Sequence, residues 1–556
     1  MEITLIFSPF VVPSYVPLGI AQLKSYIQSQ SPSIKVRNLD LNNRFFRDLK
    51  NSEFVSLCRD LCRICPQKNK HPKVRKSIRK GGILYRIGVD CLTNKETNEF
   101  YNTHKYNYFI EKVHSFFSLW ENCISIIAKD IIQNEKRIPR PLELIFRNDI
   151  NRIRPEETDL IGFSVFAHTQ LAYSLLLAKM LKQKIKRPIV FGGAFMNYID
   201  AKAFLKMFDF IDFIINKEGE TGLTELAKNL KNKDFEKVPG LFYRRDSEVI
   251  KNNDKFIENL DCLPAPEFND FDLNRYLLPV PVIPVIFSRG CFWKRCTFCV
   301  YYKTYPQAYK TKSIRKFIEE IKYYISLGCK HFFIDDDAIS AVSLEEISAA
   351  LIKNKIKICF GVIVRPERFF SYKVLKSIYD AGGRVLYWGV ESSCQNILDL
   401  MNKGTRIKDI KAILENSHKI GFHNHVFMIR GFPGQTENDI KKDIKFLFDN
   451  REVIDSYFIH IFGLEKGSYI HNNPEKFKIN NFKDSVIYKL KKKKTAICYN
   501  TLYFRSNTEL NWDSINQMEN KTFGPRKRIF PDKFTSFEHG HTLLHASLKR
   551  NLRAGQ

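Results

Sequence analysis

Six strand-like segments alternate with helical segments between residues 280 and 465, and this alternation constrains the fold more than any other feature. Strands that alternate with helices favour a parallel sheet, because each connection must cross back over the sheet. The predicted strands span residues 282–287, 331–334, 358–364, 384–390, 423–429 and 457–462. Six such units predict a partial (β/α)6 barrel with its chemistry at the carboxyl ends of the strands.

Three cysteines, Cys291, Cys296 and Cys299, lie in the loop after the first of these strands, with aromatic residues between them. Three thiolates suit an iron–sulfur cluster that keeps one iron without a protein ligand. A structural zinc site is the alternative, but zinc normally takes four ligands, often as two cysteine pairs. No second pair is near, and Cys329 falls at the opposite end of the predicted barrel. The loop therefore favours a redox enzyme.

A second run, Cys58, Cys62 and Cys65, needs a different interpretation. Its spacing lies within helical periodicity, no strand precedes it and no barrel pattern follows. We interpret these cysteines as buried or incidental thiols on one helix, with an auxiliary metal site as the alternative.

The N-terminal half has an α/β pattern in two pieces, residues 1–45 and 150–240. Its turns at 9–18, 164–170, 192–195 and 218–221 all follow predicted strands, and ligands of open α/β sheets bind at that edge. Residues 46–149 interrupt this domain as a basic, helical insertion. The remaining predicted divisions are a connector with a short hairpin at 241–279, the barrel at 280–475 and a C-terminal extension at 476–556.

The chain carries a formal net charge of +29 over 556 residues. An acidic partner such as nucleic acid, an anionic lipid surface or a phosphorylated substrate would suit this charge. We favour dispersed, solvated basic faces, because only short runs such as 491–494 are concentrated. No segment approaches 18 uninterrupted apolar residues, and the first residues lack the basic segment of a signal peptide. We expect a cytoplasmic protein without a transmembrane segment.

With its surroundings, the cysteine loop resembles the radical S-adenosylmethionine (radical SAM) superfamily. The spacing is Cys-x4-Cys-x2-Cys instead of the usual Cys-x3-Cys-x2-Cys, a variant typical of the cobalamin-binding branch. Motifs in matching order support the resemblance at residues 333–338, 364–367, 388–393, 400–405 and 431–436.

The resemblance implies that Cys291, Cys296 and Cys299 hold a [4Fe-4S] cluster whose open iron chelates S-adenosylmethionine. It implies that the acidic strand end at 335–336 meets the methionine amino group and that the segment from Gly431 lies near the adenine. The expected S-adenosylmethionine contacts are Asp335, Asp336, Arg365, Glu391, Ser392, Gly431 and Pro433.

The first 270 residues resemble the cobalamin-binding domain of the same branch, which implies a Rossmann-like fold. The expected cobalamin contacts are Leu18, Gly19, Ser164, His168, Gly192, Gly193, Gly219, Glu220 and Thr221. The Asp-x-His-x-x-Gly motif of other cobalamin proteins is absent. His168 is the only histidine in a suitable turn, and we favour a loop histidine without a cobalt contact.

The implied function is cobalamin-dependent radical methylation of an unactivated carbon or phosphorus in a small molecule or peptide. Flavodoxin or ferredoxin would supply electrons. One alternative is a cobalamin-dependent rearrangement or cyclisation without methyl transfer. Another is an RNA-modifying enzyme of the methylthiotransferase kind; nucleic acid is not favoured, because residues 476–556 do not resemble that family's five-stranded RNA-binding barrel. We expect the insertion and the C-terminal extension to shape substrate choice.

Overall fold

A computed structural model describes residues 1–65, 73–94, 99–301, 309–490, 495–506 and 539–553. Two parallel sheets dominate it, as the alternation of strands and helices predicts. In the described part of the chain, no helix combines the length and the apolarity that crossing a membrane requires.

The N-terminal sheet has seven strands in the order β2-β1-β3-β4-β5-β6-β7. The first five are parallel, and the last two pair antiparallel at one edge. The strands are β1 (Glu2–Phe7), β2 (Lys35–Asp40), β3 (Leu160–Ser164), β4 (Ile189–Gly192), β5 (Phe213–Ile215), β6 (Leu241–Arg245) and β7 (Glu248–Lys251). The hairpin that the sequence assigned to the connector thus extends this sheet beyond residue 240.

Helices cover both faces of this sheet, and a helical segment separates β2 from β3. The covering helices are α1 (Leu18–Gln30), α7 (Leu171–Lys184), α8 (Ala201–Met207) and α9 (Glu220–Asn229). The helical segment contains α2 (Leu41–Asp48), α3 (Ser52–Ile64), α4 (Lys73–Thr93), α5 (Thr103–Gln133) and α6 (Arg140–Ile153). Apolar residues recur along α5 at helical spacing and are buried, so this helix forms the centre of the segment.

The second sheet is the predicted six-stranded parallel barrel sheet, in the order β8-β11-β12-β13-β14-β15. Its strands are β8 (Val282–Val285), β11 (His331–Ile339), β12 (Cys359–Val364), β13 (Gly383–Glu391), β14 (His423–Arg430) and β15 (Ser456–Ile461). Its helices are α10 (Ile314–Ser326), α11 (Ala341–Lys353), α12 (Tyr372–Asp380), α13 (Gln395–Leu400), α14 (Ile407–Ile420) and α15 (Glu437–Asp449). The predicted partial barrel is confirmed.

Two short strands, β9 (Ser288–Arg289) and β10 (Lys310–Thr311), pair beside the cysteine loop. The C-terminal region adds β16 (Leu464–Glu465), a short helix α16 (Tyr469–Asn472), and a long hairpin of β17 (Ile479–Leu490) and β18 (Thr495–Ser506). This hairpin was not predicted, because the region is polar and only weakly periodic.

The last helix, α17 (His539–Arg553), starts inside the barrel. The His539 ring lies 4.3 Å from the Phe333 ring and 4.4 Å from the Tyr387 ring. Both aromatic residues precede the polar ends of their strands, so His539 fills the lower part of the lumen. The start of the last helix therefore lies below the strand ends, and the expectation that the C-terminal extension shapes substrate choice stays a prediction.

Candidate active site

Asp336, in the carboxyl-terminal half of β11, fixes the entry to the cysteine loop. Its carboxylate accepts hydrogen bonds from Phe287 N at 2.9 Å, Ser288 N at 2.8 Å and Ser288 Oγ at 2.5 Å. Gly290 follows with φ +83°, a conformation that glycine adopts without strain. The chain then turns into the loop that carries the three cysteines.

The far side of the loop is tied to the residues that follow α13. Thr297 donates from N to Met401 O and from Oγ1 to Leu400 O, both at 2.9 Å. Trp293 Nε1 donates to Asn402 O at 2.9 Å. A Cβ on Gly404 would stand 2.2 Å from the Trp293 ring, so only glycine allows this contact. The loop is therefore held from two sides.

Cys291, Cys296 and Cys299 are half-buried thiols, and none of them is in a disulfide. Burial raises the pKa of Cys299 to about 12 and also raises the pKa of Cys296. Lys403 and Arg365 lie near Cys296 and act in the opposite direction. Two cations thus lie near Cys296 and would stabilise its thiolate form.

Arg365 and Lys403 are themselves rigidly placed. Arg365 Nη2 donates to Lys403 O at 2.5 Å, and its guanidinium lies 4.1 Å from the centre of the Trp293 ring. Lys403 Nζ lies 2.8 Å from Glu391 Oε1 in a buried ion pair. Glu391 has φ +69°, which is strained for a residue other than glycine. A Cβ on Gly389 would lie 2.9 Å from the Glu391 carboxylate, so this glycine makes room for the pair.

The three aspartates in the carboxyl-terminal half of β11 have two different kinds of surroundings. Asp336 is buried and fully engaged with the cysteine loop, which favours a positioning role over a contact with S-adenosylmethionine. Asp335 and Asp337 alternate with it and are accessible in the lumen, on the same side of the strand as Phe333. Asp335 is open to the lumen but is surrounded by protein on its other sides, and this desolvation together with the nearby Asp337 raises the pKa of Asp335 to about 6.

Ser392 and Gly431 belong to one buried network across the ends of β13 and β14. Ser392 Oγ donates to Asp443 at 3.0 Å, and Gly431 N donates to Gln435 Oε1 at 2.8 Å. Gln435 Nε2 in turn donates to Asp443 Oδ2 at 2.9 Å, while Pro433 is buried in the same turn. Sequence reasoning missed Gln435 and Asp443, because each looks like an ordinary helix or turn residue.

An ion-pair bridge joins the cysteine loop to the N-terminal domain. Arg289, two residues before Cys291, donates to Glu218 Oε1 at 2.8 Å and also pairs with Glu220. All three side chains are at least nine-tenths buried. Glu220, an expected cobalamin contact, is thus committed to this bridge.

The remaining expected cobalamin contacts fall into two groups. Three glycines have close neighbours where a Cβ would stand: 2.6 Å from Val165 O at Gly193, 3.2 Å from Ile215 O at Gly192 and 3.1 Å from Leu23 at Gly219. The fold thus favours glycine there, and a contact of their backbone with cobalamin stays a prediction. Those left at the strand edge or at helix starts are Leu18, Gly19, Ser164, His168 and Thr221. A Cβ on Gly19 would meet nothing within 4 Å.

An open cavity of about 390 Å³ lies at this edge, lined by His168, Phe195, Tyr198 and Thr501. Burial lowers the pKa of His168, so its imidazole is neutral at neutral pH. The Tyr198 ring lies 6.4 Å from the ring of Tyr301, two residues past Cys299. The structure therefore brings the N-terminal edge next to the cysteine loop. Thr501, from the C-terminal hairpin, could not be found from the sequence, because the hairpin itself was not predicted.

Residues 285–447 match the family model of the radical SAM superfamily. The chain is 25% identical over 312 residues to an uncharacterized methyltransferase of Pyrococcus horikoshii, covering 55% of this chain and 67% of that protein. It is 24% identical over 318 residues to the anaerobic magnesium-protoporphyrin IX monomethyl ester cyclase of Rubrivivax gelatinosus, covering 54% and 56%. The aligned parts thus span between about half and two thirds of these relatives.

Two solved structures share the fold. The radical S-adenosylmethionine methyltransferase TsrM from Kitasatospora setae, solved with cobalamin and a [4Fe-4S] cluster bound, aligns with TM-score 0.60 at 12% identity, covering 100% of this chain and 99% of that one. The cobalamin-dependent radical enzyme OxsB aligns with TM-score 0.53 at 18% identity, covering 86% and 56%. Residues 285–447 therefore form a radical SAM domain, and the chain shares its fold with these two solved structures.

Proposed function

We propose that this chain is a radical SAM enzyme that uses a [4Fe-4S] cluster, S-adenosylmethionine and cobalamin to methylate an unactivated carbon or phosphorus. The substrate would be a small molecule or a peptide. One observation carries the proposal: the cavity at the N-terminal sheet edge and the three-cysteine loop adjoin through Tyr198 and Tyr301. Two cofactors held at these places would face a common space above the barrel.

The residues of the loop fit a cluster. In the described residues no three His, Cys, Asp or Glu side chains converge as ligands of one metal ion. A cluster does not require such convergence, because each of the three thiolates binds its own iron. Lys403 and Arg365 would offset the negative charge of the cluster from their buried positions.

The residues also fit the methionine end of S-adenosylmethionine. Within the described part of the chain, Arg365 Nε and Nη1 are buried without a hydrogen-bond acceptor, and an unpaired buried donor is costly. A ligand carboxylate would accept a hydrogen bond from one of these two donors, which point to different sides of the guanidinium. Asp335, accessible in the lumen, is the acid that could receive an amino group.

Space at the edge of the N-terminal sheet supports the proposal that cobalamin binds there. The open approach at Gly19 and the cavity beside His168 leave space for a ligand at the sheet edge. When bound, the three groups would together supply a radical that removes a hydrogen and a carrier that donates a methyl group. The protein would hold them in register through the Arg289 bridge and the Asp336 contacts.

A second candidate function is cyclisation or rearrangement without methyl transfer. The sequence similarity to the anaerobic cyclase of Rubrivivax gelatinosus supports this alternative. RNA modification of the methylthiotransferase kind has less support, because the described part of residues 476–556 contains a hairpin and a helix in place of a five-stranded barrel. Basic surface charge suits an acidic electron donor such as flavodoxin or ferredoxin.

The test is anaerobic reconstitution with iron, sulfide and hydroxocobalamin, followed by reduction and addition of S-adenosylmethionine. We expect both 5′-deoxyadenosine and S-adenosylhomocysteine, and a substrate mass increase of about 14 Da, one methylene. Deoxyadenosine without S-adenosylhomocysteine would contradict methyl transfer and favour cyclisation. Replacing Cys291, Cys296 and Cys299 by Ala should abolish deoxyadenosine. Cys329→Ala, a buried cysteine at the other end of the barrel, is the matched control and should not.

A further inference from the structure

The structure places Cys123 beside the run of Cys58, Cys62 and Cys65, a contact that the sequence did not predict. Helix α3 carries Cys58 and Cys62, and Cys65 follows its last residue. Helix α5 brings Cys123 to the same place, with Cys62 Sγ and Cys123 Sγ hydrogen-bonded at 3.7 Å. Cys65 also interacts with the Cys123 thiol. Two sulfurs, one from each helix, are therefore in contact in the helical segment, with Cys65 nearby.

The two hydrogen-bonded thiols have unequal surroundings. Cys123 is 5% exposed and packs in the core of the segment, whereas Cys62 is only partly buried. The contact with Cys123 lowers the pKa of Cys62, while that same contact and burial raise the pKa of Cys123. Cys62 is thus the thiol that a dissolved reagent reaches first, and Cys123 is reached through it.

A metal site does not suit this geometry. Ligands of a structural zinc ion must converge on one point, and no three side chains do so in the described residues. A disulfide needs only two sulfurs, at about 2.05 Å, so the pair must close by roughly 1.6 Å. Rotation of two side chains can supply a movement of that size.

We propose that Cys62 and Cys123 form a reversible disulfide, with a low-molecular-weight disulfide of the glutathione class as the oxidant. The Cys62 thiolate attacks one sulfur of the oxidant, whose S–S bond breaks and releases one thiol. Cys123 then loses its proton and attacks Cys62 Sγ, which releases the second thiol. Two protein thiols are oxidised by two electrons, and the oxidant is reduced to two thiols that take up both protons.

The disulfide would join α3 to α5 behind the turn that follows β1. Phe10 of that turn lies 5.2 Å from Phe117 of α5, measured between ring centres, and its carbonyl accepts a hydrogen bond from Thr169 Oγ1 at 2.5 Å. Thr169 is the neighbour of His168 at the cavity. The oxidised pair would therefore brace α5, which packs against the turn that is hydrogen-bonded to the neighbour of His168.

The experiment uses the full chain, reconstituted with its cluster, treated anaerobically with graded glutathione disulfide. Remaining thiols are alkylated, and the intact mass and a peptide map are recorded. We expect a mass loss of about 2 Da, a peptide pair linked through Cys62 and Cys123, and alkylation of both falling together by about tenfold. Dithiothreitol should reverse all three changes.

Cys62→Ser should abolish the linked peptide pair, whereas Cys91→Ser should retain it. Cys91 is the matched control, because it is a buried thiol of the same segment that contacts Glu99. If Cys62→Ser fails to fold, the wild-type peptide map alone decides. The proposal is overturned if Cys62 and Cys123 remain alkylated at equilibrium, if the linked pair is Cys62 with Cys65, or if the native chain holds zinc that blocks both thiols.

Discussion

Replacing Arg289 by Met tests the bridge between the cysteine loop and the N-terminal domain. The substitution keeps a chain of similar length but leaves Glu218 and Glu220 buried without their cation. Removing one partner of a buried ion pair costs about 3–5 kcal/mol, because the other charge stays in a poorly solvated place. The matched control is Arg275→Met, whose pair with Asp272 is about half exposed and contributes about 1 kcal/mol or less.

Native-state hydrogen exchange of peptides covering 218–226 and 285–290 measures this cost. A free energy of opening lowered by about 3 kcal/mol raises the rate of hydrogen exchange roughly 150-fold, since about 1.4 kcal/mol is tenfold.

Burial already raises the pKa of Glu218, and losing Arg289 raises it further. A raised carboxyl pKa means that the folded state holds more protons, so stability rises as pH falls toward the unfolded pKa near 4.5. The defect should therefore shrink below neutral pH. An Arg289→Met chain that exchanges like the Arg275→Met control would refute the bridge.

Three further substitutions test the site. Gly193→Ala places a Cβ 2.6 Å from a backbone oxygen at φ +98° and should lower the melting temperature by several degrees, whereas Gly19→Ala, which meets nothing within 4 Å, should not. Gly404→Ala displaces the Trp293 ring and should shift tryptophan fluorescence and reduce iron loading. Asp336→Ala leaves two backbone donors and a hydroxyl without their acceptor and should reduce the iron retained after gel filtration by more than half.

The strands of the two main sheets could be predicted from the sequence, because they are short apolar runs between helical segments. Helix α1 (Leu18–Gln30) and helix α7 (Leu171–Lys184) follow the turns at 9–18 and 164–170 that the pattern places after predicted strands. The long C-terminal hairpin was missed because its strands mix lysine, asparagine and aromatic residues without clean alternation. Its cross-strand partners and its contacts with other elements are tertiary features that local pattern does not report.

The candidate site was only partly accessible to sequence reasoning. The three cysteines stand in one loop, so spacing alone groups them. The roles of Asp336 and Glu220 depend on partners about 48 and 69 residues away, which no local pattern encodes. The same limit hid Cys123, which is 61 residues from Cys62 and meets it only because α3 packs against α5.

The central claim is that the loop of Cys291, Cys296 and Cys299 holds a cluster with one iron open to S-adenosylmethionine. Electron paramagnetic resonance of the anaerobically reconstituted, reduced protein tests this most directly, with about four irons per chain as the starting condition. We expect the spectrum to change when S-adenosylmethionine is added, because a ligand joins one iron. A spectrum that saturating S-adenosylmethionine leaves unchanged, or a cluster that survives replacement of all three cysteines by Ala, would contradict the claim.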